Sequence, residues 1–299
     1  MSTTTDVRRH RGGSTIAWSL VGPTLLLLIA FNVFPLIYNI ALSFTNRELV
    51  GEDSRFVGTT NYTRVFSDPL FAGALRRTAL FVVCAVGAEL MLGFALALAL
   101  VREFRLKRAV LAVVLVPMML SPAVMGLYWA LILNGNYGVV NQILGSIGLP
   151  QPQWLTDRDL KFWSIVVVDV WMWTPFMALI ALAGLSAIPP HLYEAAEIDR
   201  ASRWRVFMRI TLPMTAPLLG LAVLLRATDA LKQFDLVMAT AGPNDAATQT
   251  LSTLLYQTVF RDGKIGLGAA FACVVLVLVI ALATVFTRYL DHLRRARET

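Results

Sequence analysis

Five stretches of this sequence are each longer than the roughly 20 mostly apolar residues that a helix needs to cross a bilayer. They are Ile16–Phe44, Leu75–Val101, Ala109–Leu133, Trp163–Leu185 and Leu267–Leu290. Runs of this length argue against an ordinary soluble domain. Of the 299 residues, 57% are hydrophobic and 15% are charged, against about 45–50% and 25% in globular proteins. A single soluble core stops growing near about 250–300 residues, so the excess calls for the bilayer as solvent. Cys84 and Cys273 lie inside apolar runs and read as small hydrophobes, with no disulfide framework or metal site.

A sixth stretch, Met214–Ala239, starts strongly apolar and then takes in Arg226, Asp229, Lys232 and Asp235. It is read as spanning, because otherwise the basic segments flanking spans five and six would face opposite sides. The first span is too long for a signal peptide and no small-residue cleavage site follows it. Residues 1–13 read as a polar basic tail, and 14–299 as one membrane domain.

The net charge of +7 is spread between the apolar runs rather than gathered in one patch, which argues for membrane orientation and against nucleic acid. Fifteen Lys and Arg residues fall in the tail, the second and fourth loops and the C-terminus; nine fall in the other loops, diluted by acids. The positive-inside rule then places both termini in the cytoplasm of a multi-pass inner-membrane protein. Arg76 and Arg77 fit that pattern poorly and are expected to reach the outer interface.

No GxxxxGK[ST] phosphate loop is present, so the chain is not expected to hydrolyse ATP or to carry a cofactor of its own. HExxH, CxxC and GxSxG are absent too. Glu89 and Asp169 are single carboxylates on different spans, with no catalytic constellation evident around them.

The fourth loop, residues 189–213, reads as ordered. Ala, Glu and Arg favour helix on both sides of a break at Asp199–Arg200–Ala201. Pro190 can start the first helix, and Pro213 is expected to end the second. Leu192, Ala195, Ala196 and Ile198 give one an apolar side; Trp204, Phe207 and Ile210 do so for the other. Such a pair can lie on lipid or dock in a partner's groove.

The residues Glu194-Ala195-Ala196, Asp199, Ala201, Phe207, Ile210 and Leu212-Pro213 resemble the EAA loop of ABC importer permeases. The resemblance covers nearly the whole chain. Pro35 to Ser43-Phe44, then Gly58 and Asn61-Tyr62, resemble the family's first span and its outer GLxNY. Trp171, Pro175 and Ala183-Gly184-Leu185 with Ile188-Pro189 resemble the span leading into the loop. Phe234-Asp235, Thr240, Gly242-Pro243 and Gly266 to Ala270 resemble the MalF-type member of the sugar-importer pair. One departure stands out: Arg200 occupies the family's glycine position, where a left-handed backbone costs a side chain about 1–2 kcal/mol.

The resemblance implies an all-α integral membrane protein of six transmembrane helices, with the type I (MetI-like) ABC importer permease fold. It implies a partner ATPase, present in two copies and holding the ATP and Mg, which docks at Glu194, Ala195, Ala196, Asp199, Arg200, Ala201 and Phe207. It further implies a MalG-type second permease, an extracytoplasmic solute-binding protein and a sugar or polyol substrate.

Arg226, Asp229, Lys232 and Asp235 stand at steps of three, so neighbours can pair along a helix. The expectation is an Asp229–Lys232 pair, with Arg226 or Gln233 facing a path. Tyr128, Asn134, Asp169, Trp171 and Asp235 are further candidates for that path, since aromatic faces and polar groups suit a sugar. Trp129 and Trp154 read as interface anchors. Glu89 reads as a buried packing carboxylate. The alternatives are an ion-coupled secondary transporter using Glu89 or Asp169, and a channel or structural subunit.

Overall fold

The computed structural model describes residues 12–51, 54–242 and 245–298, so most of the expected N-terminal tail and Pro243 lie outside the described residues. Regular structure there is helical, apart from an isolated bridge between Thr45 and Phe56. The first helix has two parts, α1 (Gly12–Leu28) and α2 (Phe34–Ser43), joined by a π turn at Ile29–Val33. Pro35 explains the turn. A proline has no N–H for the carbonyl four residues back, and the wider turn absorbs the break: Phe34 N–H donates to the Ile29 carbonyl instead.

After α3 (Thr60–Ser67) comes α4 (Pro69–Leu100), opened by Asp68, whose carboxylate accepts the Leu70 N–H at 2.8 Å. The third span departs from expectation. It is a broken segment: α5 (Lys107–Leu115), a 3-10 turn at Pro117–Met119, and α6 (Pro122–Ile132). Pro117 and Pro122 each remove a donor, and Leu120 and Ser121 are extended, with ψ 150° and 133°. Next come α7 (Val139–Ser146), α8 (Arg158–Ser186), α9 (Pro190–Ile198) and α10 (Arg203–Val206).

Pro213 does not end a helix. From α10 the chain continues through a π turn at Phe207–Thr211 into α11 (Leu212–Ala230), and Leu212 N–H reaches the Phe207 carbonyl. The device is the one used before Pro35. The fifth span therefore runs from Arg203 to Ala230 rather than from Met214 to Ala239. It is followed by α12 (Asp235–Ala241), α13 (Leu251–Tyr256) and α14 (Ile265–Glu298). Five helices among the described residues are long and apolar enough to cross a membrane, and the α5–α6 pair takes the place of the sixth.

The centre of the bundle is α4 against α8. Gly93 lets them approach: a Cβ there would lie 2.5 Å from that of Met177 and 2.9 Å from the Ala178 nitrogen. Phe81, Ala85 and Val86 of α4 meet Ile165, Val166 and Val168 of α8, with α11 and α12 closing over them. On the flank, α14 packs on α2 and α3. Asn61 ties that corner by donating to the carbonyls of Ser43 at 2.9 Å and Thr45 at 2.8 Å, while the Tyr62 and Ser43 hydroxyls are 2.7 Å apart. Gly266 lies against the Thr45 carbonyl, where any Cβ would overlap it. By contrast, α1 is barely covered: Trp18 is 65% exposed.

Candidate functional site

Two features of this bundle carry chemistry. One is a buried ion cluster where α4, α8 and α11 converge. Arg226, on the last turn of α11, is 2% exposed, and Glu89 and Asp169 are both 0% exposed. Its Nη2 donates to Glu89 Oε1 at 3.0 Å and also to Asp169 Oδ2. Its Nε lies 3.0 Å from Glu89 Oε2, an ion-pair contact off the hydrogen-bonding direction. Nη1 donates to Asp229 at 3.2 Å, and Cζ sits 4.8 Å from the Trp173 ring centre. Asp169 Oδ1 accepts the Gln233 side-chain amide at 2.7 Å.

Both buried carboxylates are thus held by one guanidinium, and a planar fork of donors suits that task better than an ammonium. Glu89 and Asp169 are not the isolated groups that their places in the sequence suggest. Glu89 is a buried packing carboxylate, as expected, and its partner is Arg226. Trp173 was missed as a contact, although it follows Asp169 by one helical turn.

The expected Asp229–Lys232 pair does not form. The helix ends at Ala230, so Lys232 leaves the face it would share with Asp229. Lys232 is exposed and enters no ion pair among the described residues; Asp235 is exposed on α12. What forms instead is a polar seam, from buried Arg226 through half-buried Gln233 to Asp229, whose side chain is 58% exposed.

The remaining aromatic and polar candidates separate. Tyr128 is exposed, and Trp171 meets Trp129 edge-on at 5.3 Å. Asn134 is occupied structurally, accepting the N–H groups of Asn136 at 2.9 Å and Tyr137 at 3.2 Å. Trp154 is not a headgroup anchor: its indole N–H donates to buried Asn141 at 2.8 Å and pins the loop. A cavity of about 820 Å³ between α4, α5 and α8 is lined by apolar side chains, with Thr174 its only hydroxyl, so it offers a sugar little to bond.

The second feature is the helical loop of α9 and α10, at the far end of α8. Leu192 and Tyr193 pack inward against Ala97, Ala181 and Leu185, and the Tyr193 hydroxyl lies 3.2 Å from that of Thr211. Phe207 tilts against Phe94 and stacks under Trp204. That anchors the base. The tip is bare: Ile198 is 83% exposed and Trp204 68%, with Glu194 and Ala195 exposed and Ala196 half-buried beside them.

Asp199 and Arg200 form the turn between these helices. Arg200 has φ 51°, the only positive φ at a non-glycine among the described residues. The Ala201 N–H donates to the Ala196 carbonyl at 2.9 Å and the Arg200 N–H to that of Glu197 at 3.0 Å, a complete Schellman ending. The turn therefore keeps a glycine geometry with arginine in it. Arg200→Gly is expected to raise stability by about 1 kcal/mol, read as a higher thermal midpoint in detergent. A lower midpoint would mean that the arginine side chain holds the turn.

Comparison with known proteins completes the description. A family model described as "Binding-protein-dependent transport system inner membrane component" matches residues 89–296. The chain is 34% identical over 273 residues to the trehalose/maltose transport system permease protein MalF of Thermococcus litoralis, covering 91% of this chain and 92% of that one. It is 33% identical over 279 residues to the sulfoquinovosyl glycerol transport system permease protein SmoG of Agrobacterium fabrum, covering 93% and 91%. Its fold matches a chain of a bacterial alginate ABC transporter, crystallised with an alginate pentasaccharide-bound periplasmic protein, with TM-score 0.83, 21% identity and 97% of each chain covered.

Proposed function

We propose that this chain, which belongs to the family of binding-protein-dependent transport system inner membrane components, is the MalF-type permease of an ATP-driven importer for a sugar or related glycoside. The substrate class rests on relatives named for trehalose/maltose and for sulfoquinovosyl glycerol. Coupling to an ATPase rests on one observation above the others: an anchored helical protrusion with Ile198 and Trp204 bare at its tip. Apolar and aromatic groups held rigidly in the open are what a partner's groove takes up. In this reading two ATPase subunits bind and hydrolyse ATP with Mg, and their closure moves α9 and α10. Those movements swing this permease and a MalG-type partner between inward- and outward-open states, and an extracytoplasmic binding protein delivers the sugar.

The seam of Arg226, Asp229 and Gln233 is the candidate lining of the path. Because Arg226 is buried and fully engaged, Asp229 and Gln233 are the groups of this seam nearest to a substrate. The ion-coupled alternative is not favoured, since Glu89 and Asp169 are both taken up by Arg226.

Uptake in reconstituted vesicles tests the whole reading. Sugar should enter only when the ATPase, the second permease, the binding protein and ATP are all supplied. Uptake by this chain alone, driven by an ion gradient, would overturn it. In the same vesicles, cysteines replacing Arg55, Asp157 and Asp245 should label from outside and one replacing Arg203 from inside.

A further inference from the structure

Three arginines stand where the positive-inside pattern wants none. Arg76 and Arg77 lie near the start of α4 and Arg158 begins α8. The structure brings all three to one cavity of about 650 Å³. Among the described residues Arg76 and Arg158 enter no ion pair, and Asp159 is the single carboxylate on the cavity wall.

The walls are fixed. Arg77 Nε donates to the Gln249 carbonyl at 2.9 Å, and its guanidinium would lie 3.3 Å from a Cβ at Gly73, so that glycine leaves it room. Across the mouth, the segment after α12 is tied down by an ion pair between Asp245 and Lys161. Burial works against that aspartate's charge, but hydrogen bonds from Lys161 and the Ala247 N–H hold its carboxyl below the usual range. The cavity is built by the fold rather than by loose surface side chains.

The lining also changes along the helix axes. Leu80 lies four residues beyond Arg76, and Phe162 and Trp163 lie four and five beyond Arg158. At 1.5 Å per residue that is about 6–7 Å deeper toward the middle of each span. Cations therefore sit at the membrane surface, with an aliphatic and aromatic wall directly beneath. Trp163 is 48% exposed there, the place and residue type of an interfacial anchor.

We propose that this cavity is a binding site for an anionic phospholipid, with the phosphodiester held by Arg76, Arg77 and Arg158 and the acyl chains laid along Leu80 and Trp163. Guanidinium groups bind phosphate oxygens through paired, charge-assisted hydrogen bonds, and basic pockets between spanning helices take up such headgroups. A soluble acidic partner would use the arginines but would gain nothing from the apolar wall below them. The site lies far from α9 and α10, so the proposal stands apart from ATPase coupling.

Native mass spectrometry of the detergent-solubilised full chain, titrated with phosphatidylglycerol, phosphatidylcholine or inorganic phosphate, tests it. Phosphatidylglycerol should bind about tenfold more tightly than phosphatidylcholine, a difference of one charge-assisted contact. Inorganic phosphate, lacking the chains, should not displace it. Arg76→Gln with Arg158→Gln should abolish the preference, whereas Arg205→Gln with Arg209→Gln at the opposite end should keep it. Equal binding of the two lipids, displacement by phosphate, or an unchanged preference in the Arg76/Arg158 variant would each overturn the proposal. So would an unchanged lipid preference accompanied by weaker capture of the binding protein, which would assign the arginines to that partner. If the glutamine pair lowers the thermal midpoint, the wild-type comparison of the two lipids still decides.

Discussion

Arg226→Met should abolish the folded, assembled state, or nearly so. The substitution keeps much of the side-chain volume and removes the cation. Glu89 and Asp169, both fully buried, then lose the group that holds them, and Asp229 loses its partner. Breaking a buried pair by deleting one member costs about 3–5 kcal/mol, mostly because the remaining charge is stranded. That is a large share of a stability of about 5–15 kcal/mol. Folded yield and thermal midpoint in detergent give the readout. The triple change Arg226→Met, Glu89→Gln, Asp169→Asn should recover at least half of the loss, since it strands no charge. Asp229→Asn should cost little, because that carboxylate is 58% exposed. An Arg226→Met chain with a wild-type midpoint would mean that the cluster does not hold α4, α8 and α11 together.

Sequence separation decides how much of this centre could be read beforehand. Arg226 and Asp229 are three apart, and their contact follows from helical geometry. Asp169 is 57 residues from Arg226, and Glu89 is 137 away. No periodicity links residues on three different helices, so only the packing of α4 on α8 brings them together. The failed Asp229–Lys232 pair has a related cause. Steps of three mean a ladder only while the helix continues, and α11 stops at Ala230 so that Gln233 can turn back onto Asp169.

Backbone effects were legible where a residue type dictates them. Arg200 at a glycine position announced strain, and φ 51° is where it is found. The prolines were read less well. Pro213 looked like a terminator, yet a π turn carries the helix past it; Pro117 and Pro122 divide a segment whose apolar character promised a continuous span. Apolar content reports burial in lipid or protein, and it says little about whether the backbone within is unbroken.

Trp204→Ala and Ile198→Glu are expected to uncouple the chain from its ATPase while leaving the fold intact. Both side chains are mostly exposed, so their loss removes little packing from this chain. In a partner's groove the balance differs. Truncating a central tryptophan at an interface costs 2 kcal/mol or more, a loss of affinity of about 30-fold. A glutamate at Ile198 would be buried unpaired against the partner, and Ala196→Asp would act likewise from the helix behind it. Membrane insertion and thermal midpoint should match wild type, while co-purification of the ATPase and substrate-stimulated turnover should fall together. A loop that merely rests on lipid would behave otherwise. It would tolerate Trp204→Ala in both assays and would respond instead to removal of Arg203, Arg205 and Arg209, through weaker attraction to anionic headgroups. Retained ATPase binding in both the Trp204→Ala and Ile198→Glu chains would therefore remove the tip of α9 and α10 from the coupling interface.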